Sequence, residues 1–195
     1  MSDQTARPCT DEQTAVACDD WASAAGVRAA LDRMFGRGFA QRAAERPDGV
    51  VHVTAVWARD HLTLRINAET PRSEWDWFAL NAARARADAI ITTGKILREE
   101  PEVSHAIQGP GRAAEGLTEW RRQVLGKTEP PYLLVLTSGR GLPERGRLAD
   151  WHPALRGATR PILYTGSAAA HTLVSTAGPR IRVVAAEQPG VRGAI

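Results

Sequence analysis

Cysteine is scarce in this chain of 195 residues: only Cys9 and Cys18 occur, both in a polar N-terminal stretch. Without histidines beside them they define neither a disulfide framework nor a zinc site. Long apolar runs are missing as well. No window approaches the roughly 20 residues that span a bilayer. The first twenty residues also lack the basic start and apolar middle of a secretory signal. The expectation is a cytoplasmic protein with no membrane contact. Familiar catalytic fingerprints are equally sparse: there is no Walker loop, no GxGxxG, no GxSxG nucleophile elbow and no HxxxH pair. Hydrolase chemistry therefore has no anchor, metal ligands are not expected, and Gly109-Pro110-Gly111 reads as a turn.

What is present is an ordinary globular composition, with 43% hydrophobic and 24% charged residues. The length suits one domain able to bury a sizeable core. Charge is uneven. Residues 1–20 carry five acids against Arg7, a net −4, so the rest of the chain stands at +7 within the overall +3. That excess suits an anionic small molecule such as a phosphorylated metabolite. It does not form a nucleic-acid stripe, because the basic residues are scattered among acids. Nucleic acid is not an expected partner.

Residues 1–18 read as a flexible leader and 19–47 as a helix followed by a linker. Trp21, Ala24, Val27, Leu31, Met34 and Phe35 fall at helical spacing, which predicts a helix over 20–35 ended by Gly36 and Gly38. The chemistry then turns to strands. VVHVTAVW (50–57) is β-branched and partly alternating, LTLRI (62–66) alternates cleanly, and Asp60-His61 sits between them as a turn. Ser73-Glu74-Trp75-Asp76 is a capping box, in which the Ser73 hydroxyl accepts from the amide of Asp76. Short apolar strands follow at 89–92, 132–136, 161–164 and 181–185, with helices at 113–125 and 168–174. Buried strands alternating with helices predict an α/β domain over 48–195, built on a mostly parallel central sheet flanked by helices.

Three successive strands run into Thr93-Gly94-Lys95, Thr137-Ser138-Gly139 and Thr165-Gly166-Ser167. Ligands of open α/β sheets gather at the carboxyl ends of strands, where small residues let phosphates approach the backbone. Any single one of these tripeptides is most simply a turn. Their succession is what suggests a site, with Thr93, Ser138 and Thr165 along one edge of one sheet that also includes 50–57.

These residues carry a family likeness. Residues 51–103 resemble the reductase half of the bacterial riboflavin-biosynthesis bifunctional deaminase-reductase, a dihydrofolate-reductase-like family that uses NADPH. VHVTAVWARDHLTL (51–64) resembles its first strand and turn, with Asp60 at the turn's aspartate. Ser73-Glu74-Trp75 is similar to a Ser-x-Trp element, RARADAII (84–91) is the most specific match, and GKILREEP (94–101) and YLLVLTSG (132–139) follow in order. The resemblance implies substrate contacts at Ser73, Arg84 and Val103, cofactor contacts at Trp75, Lys95, Glu99 and Ser138, and Asp60 near the nicotinamide end of a catalytic site. The sequence departs from the family where Thr54 replaces a lysine and Ala106 an arginine. Its last residues, 190–195, fall before the family's Glu-Gly-Gly segment, so the expectation is a reductase domain lacking its C-terminal part.

The implied chemistry is hydride transfer from NADPH to a ribosylaminopyrimidine such as 5-amino-6-(5-phosphoribosylamino)uracil. The implied partners are a small-molecule substrate, phosphorylated or not, and a second copy of the chain in a homodimer. A second class stays open: a truncated or inactive homologue that binds a phosphorylated metabolite or a partner. Residue by residue, plainer roles compete. Ser73 caps a helix with or without ligand, Trp75 suits a core anchor, and Arg84, Lys95 and Arg98 suit a solvated surface.

Overall fold

The computed structural model describes residues 20–45, 56–57, 62–63, 73–142, 148, 152–158 and 160–187. The predicted leader 1–18, the turn residue Asp60 and the C-terminal residues 188–195 lie outside these. The chain divides into two compact units. One comprises Met1–Arg86 and Ile107–Glu129, the other Ala87–Ala106 and Pro130–Ile195. This division cuts the predicted 48–195 segment at Arg86 and returns 107–129 to the first unit.

The described part of the first unit is mainly helical. A 3-10 turn, Asp20–Ala22, precedes α1 (Ala24–Phe35), and α2 follows at Phe39–Ala44. The helix predicted over 20–35 is thus interrupted at Ser23, whose extended backbone and hydroxyl cap α1 by accepting from the amide of Gly26. The stretch expected to be linker contains α2. Asp32 accepts from the amide of Ala40 at 2.8 Å, and Ala40 and Ala43 are buried, which together hold this short helix in place. Helices α3 (Glu74–Arg86) and α5 (Ala113–Gln123) complete the unit. The Ser73 hydroxyl accepts from the amide of Asp76 at 3.2 Å, as the capping box predicts.

The core of this unit gathers Trp21, Val27, Leu31, Phe78, Ala82, Leu117 and Trp120. Trp21 stacks on Phe78 with ring centres 4.6 Å apart and meets Trp75 edge-on at 4.8 Å. The backbones come close here. A Cβ on Gly116 would sit 2.0 Å from the carbonyl oxygen of Trp21, so only glycine lets α5 reach the turn.

Val56–Trp57 (β1) and Leu62–Thr63 (β2) pair antiparallel as a two-stranded ladder, Val56 opposite Thr63. Among the described residues β1 pairs with β2, and residues 50–55 of the strand predicted over 50–57 lie outside them. A short link between strands brings the sequence neighbour into antiparallel register, whereas a parallel neighbour needs a long crossover.

The second unit carries that parallel sheet. Its strands are β3 (Ala89–Thr93), β4 (Tyr132–Leu136), β5 (Pro161–Gly166) and β6 (Arg182–Ala186), in the order β3-β4-β5-β6, every pair parallel. Helices α4 (Gly94–Glu99), α6 (Pro153–Gly157) and α7 (Ser167–Ala177) accompany it. Successive side chains of a strand point to opposite faces. Leu133, Val135 and Leu163 join Leu97, Leu155 and Leu173 in one core. Leu134 and Tyr164, on the alternate positions, are each only 7% exposed. Both faces of the central strands are therefore buried, which explains why they read as continuous apolar runs. No helix among the described residues is long and apolar enough to cross a membrane.

Candidate strand-end site

Register fixes where the strands of the second unit stop. Thr93 lies beside Leu136, Leu136 beside Tyr164, and Thr165 beside Ala185. Thr93, the 137–139 tripeptide and Thr165 thus share the carboxyl edge of one sheet, as expected. Their side chains are employed differently. The Thr93 hydroxyl caps α4 by accepting from the amide of Ile96 at 3.2 Å. The Thr137 hydroxyl accepts from the amide of Gly139 at 3.0 Å, and Ser138 from that of Arg140 at 3.5 Å. Thr165 is fully buried, and its hydroxyl finds no hydrogen-bond partner among the described residues. The hydroxyls of Thr93, Thr137 and Ser138 thus serve the turns themselves, and Lys95, Arg98 and Arg140 stand exposed around them.

Arg98, on the last turn of α4, donates from Nη1 to the carbonyl of Arg140 at 3.0 Å. This bond ties the loop after β4 to the helix after β3. The loop turns at Gly139, whose φ of +80° suits glycine, and a Cβ there would meet that of Ala169 in the first turn of α7 at 2.8 Å. Lys95 is 74% exposed and stands 3.8 Å from Glu99, one turn along α4. Helix α7 starts behind Gly166, which offers no side-chain cap. The edge thus presents Lys95, Arg98 and Arg140, all exposed, around a glycine-containing loop and a helix start. Such an arrangement attracts a phosphate or carboxylate through charge and backbone amides.

The residues singled out by sequence fall in both units. Lys95, Glu99, Ser138 and Val103 belong to the second. The first three line the strand-end region, whereas Val103 packs against the core. Ser73, Trp75 and Arg84 lie on or just before α3 in the first unit. Trp75 is occupied by packing on Trp21, with the Arg33 guanidinium 5.9 Å from its ring centre. Ser73 caps α3, and Arg84 sits eleven residues later, roughly 16 Å along the axis at 1.5 Å per residue. A ligand touching both would have to run along the helix. Asp60 lies outside the described residues.

Arg84 is the most perturbed of these groups. Burial pushes its guanidinium down to about 10, still charged at neutral pH. It donates to Asn81 Oδ1 at 3.3 Å, and the same oxygen accepts from the amide of Gln108 at 2.8 Å. Asn81, fully buried, donates in turn to the carbonyl of Trp77 at 2.8 Å. The asparagine thus sets the position of Arg84, a role that α3's small-residue pattern gave no means of assigning. Arg140 escaped sequence reasoning too, although its place after the Thr-Ser-Gly strand end was a usable signal.

No family model, no curated protein and no solved structure matches this chain. Support for a function comes from the residues themselves.

Proposed function

We propose that this chain is an NADPH-dependent reductase-like protein of the riboflavin-biosynthesis kind, reducing 5-amino-6-(5-phosphoribosylamino)uracil or a related ribosylaminopyrimidine. The dihydrofolate-reductase-like fold, a cytoplasmic setting and a possible homodimer belong to the same reading. The observation that carries it is the parallel sheet whose strands β3, β4 and β5 end in register beside Lys95, Arg98 and Arg140. In open α/β sheets ligands bind at that edge. Lys95, Ser138 and the loop through Gly139 would hold the cofactor's phosphates. Bound NADPH supplies the hydride, and the protein's part is to align donor and acceptor.

A second reading, a phosphorylated-metabolite binding module, is favoured by one specific observation. Trp75 and Val103 are taken up by packing, and Thr93, Thr137 and Ser138 serve their own turns, which leaves mainly cations facing outward. One titration series separates the two. The reductase reading expects saturable binding of NADPH, weaker binding of NADH, and oxidation of NADPH when the pyrimidine substrate is added. Binding of inorganic pyrophosphate with no preference for NADPH and no oxidation would replace it with the binding module. Absence of binding to any of them would remove the site.

A further inference from the structure

His152 stands outside the strand-end site, and its surroundings give it a different task. It is 2% exposed and occupies the N-cap of α6. Its Nδ1 accepts from the amide of Ala154 at 3.0 Å, a part ordinarily taken by a serine, threonine or aspartate oxygen. The carbonyls of Leu97 and Glu100, at the C-terminal end of α4, favour a proton on the ring. One imidazole therefore caps the start of one helix beside the end of another, next to the core that holds Leu97, Leu148 and Leu155. An Nδ1 that accepts has no proton, so the ring is neutral with its hydrogen on Nε2.

We propose that His152 is an acid-operated latch on the start of α6, beside the end of α4. Protonation places a hydrogen on Nδ1 and turns the cap's acceptor into a second donor facing the amide of Ala154. The cap is then lost, and a charge is left in an apolar core. Two charged residues bear on the ring's surroundings. Glu102, in the turn after α4, favours the protonated form, and Arg156, on α6 itself, is exposed. Burial opposes protonation more strongly than Glu102 and the two carbonyls favour it, so the ring is held below its ordinary value of 6.5. The sign follows. A group depressed in the folded state contributes stability that is complete above 6.5 and is lost as the pH falls towards the folded value. Because α4 also carries Lys95 and Arg98, release would be felt at the strand ends. That consequence rests on the function proposed above, whereas the latch does not.

The test uses the full chain without ligand. Imidazole nitrogen NMR at pH 7.5 is expected to show Nδ1 unprotonated and Nε2 protonated at His152. Between pH 6.5 and 5 the unfolding constant of the wild type should rise by up to about tenfold per pH unit, the limit for one proton taken up. The amide of Ala154 should lose hydrogen-exchange protection over the same range. In His152→Asn the Oδ1 atom keeps the cap, and the acid-dependent part should disappear while His105 and His171 remain common to both proteins. An equal acid dependence in wild type and His152→Asn overturns the latch. If the variant does not fold, the wild type alone decides. A proton found on Nδ1 at pH 7.5, or unchanged protection of Ala154 at pH 5, overturns it equally.

Discussion

In the first unit the amide that opens α1 is met by Glu119 from α5 at 2.9 Å, and the amide of Ala40 by Asp32 from α1. Its buried cation is turned inward in the same way. Arg121, 5% exposed, donates to the carbonyls of Ala85 and Glu129 at 2.6 to 2.8 Å. The second unit uses the same residue types differently. Arg98 and Lys95 stand at the surface, Arg98 donating to the carbonyl of Arg140 at 3.0 Å, and α7 begins behind a glycine with no cap to offer. Charge in the first unit closes the structure upon itself, whereas charge at the strand ends of the second faces whatever arrives from solution. An arginine is thus structural or ligand-facing according to which backbone groups surround it, and its sequence neighbourhood does not say which.

The largest effect should come from breaking the aromatic centre of the first unit. Trp21→Ala removes a fully buried ring packed on Phe78 and Trp75. Denaturant unfolding should register a loss of about 3–5 kcal/mol. A loss under 1 kcal/mol would show that this cluster does not hold the unit together. Arg121→Met should follow. It keeps an apolar stem but leaves the carbonyls of Ala85 and Glu129 without their donor, at a cost of about 1–3 kcal/mol. If the variant proves as stable as the wild type, then the guanidinium is not the inward brace that the contrast requires. The smallest effect on stability belongs to Lys95→Ala, within about 0.5 kcal/mol, because the pair with Glu99 is exposed and screened. Its signature should lie in ligand titration instead. Affinity for NADPH or pyrophosphate should drop by about two- to fivefold at low salt, and the difference should shrink as salt rises. A silent titration would make Lys95 an ordinary solvated residue and erase the distinction between the units at that position.

Much of the fold was legible because its periodicities are local. Tyr132–Leu136 forms a strand over the bounds its apolar run predicts, and the Ser73 cap follows from a hydroxyl placed three residues before an amide. The interruption at Ser23 was not legible. Helical spacing continues through it, and the break comes from the cap hydrogen bond together with Glu119 arriving from 95 residues away. The site was legible as three strand ends in succession. That Thr165 would be sealed in the core while Arg98 reached the loop at Arg140 depends on contacts 42 residues apart, which no window contains.

By itself the sequence determined the α/β alternation, the four strands of the parallel sheet and the gathering of small residues and cations where those strands end. Each of these follows from side-chain period and backbone freedom within a few residues. Only the tertiary structure decided that Trp75 is an aromatic anchor, that Asn81 positions Arg84, and that His152 caps α6. The physical reason is common to all three. What a polar or aromatic side chain does depends on which groups have lost their water around it, and that is settled by residues distant in the chain.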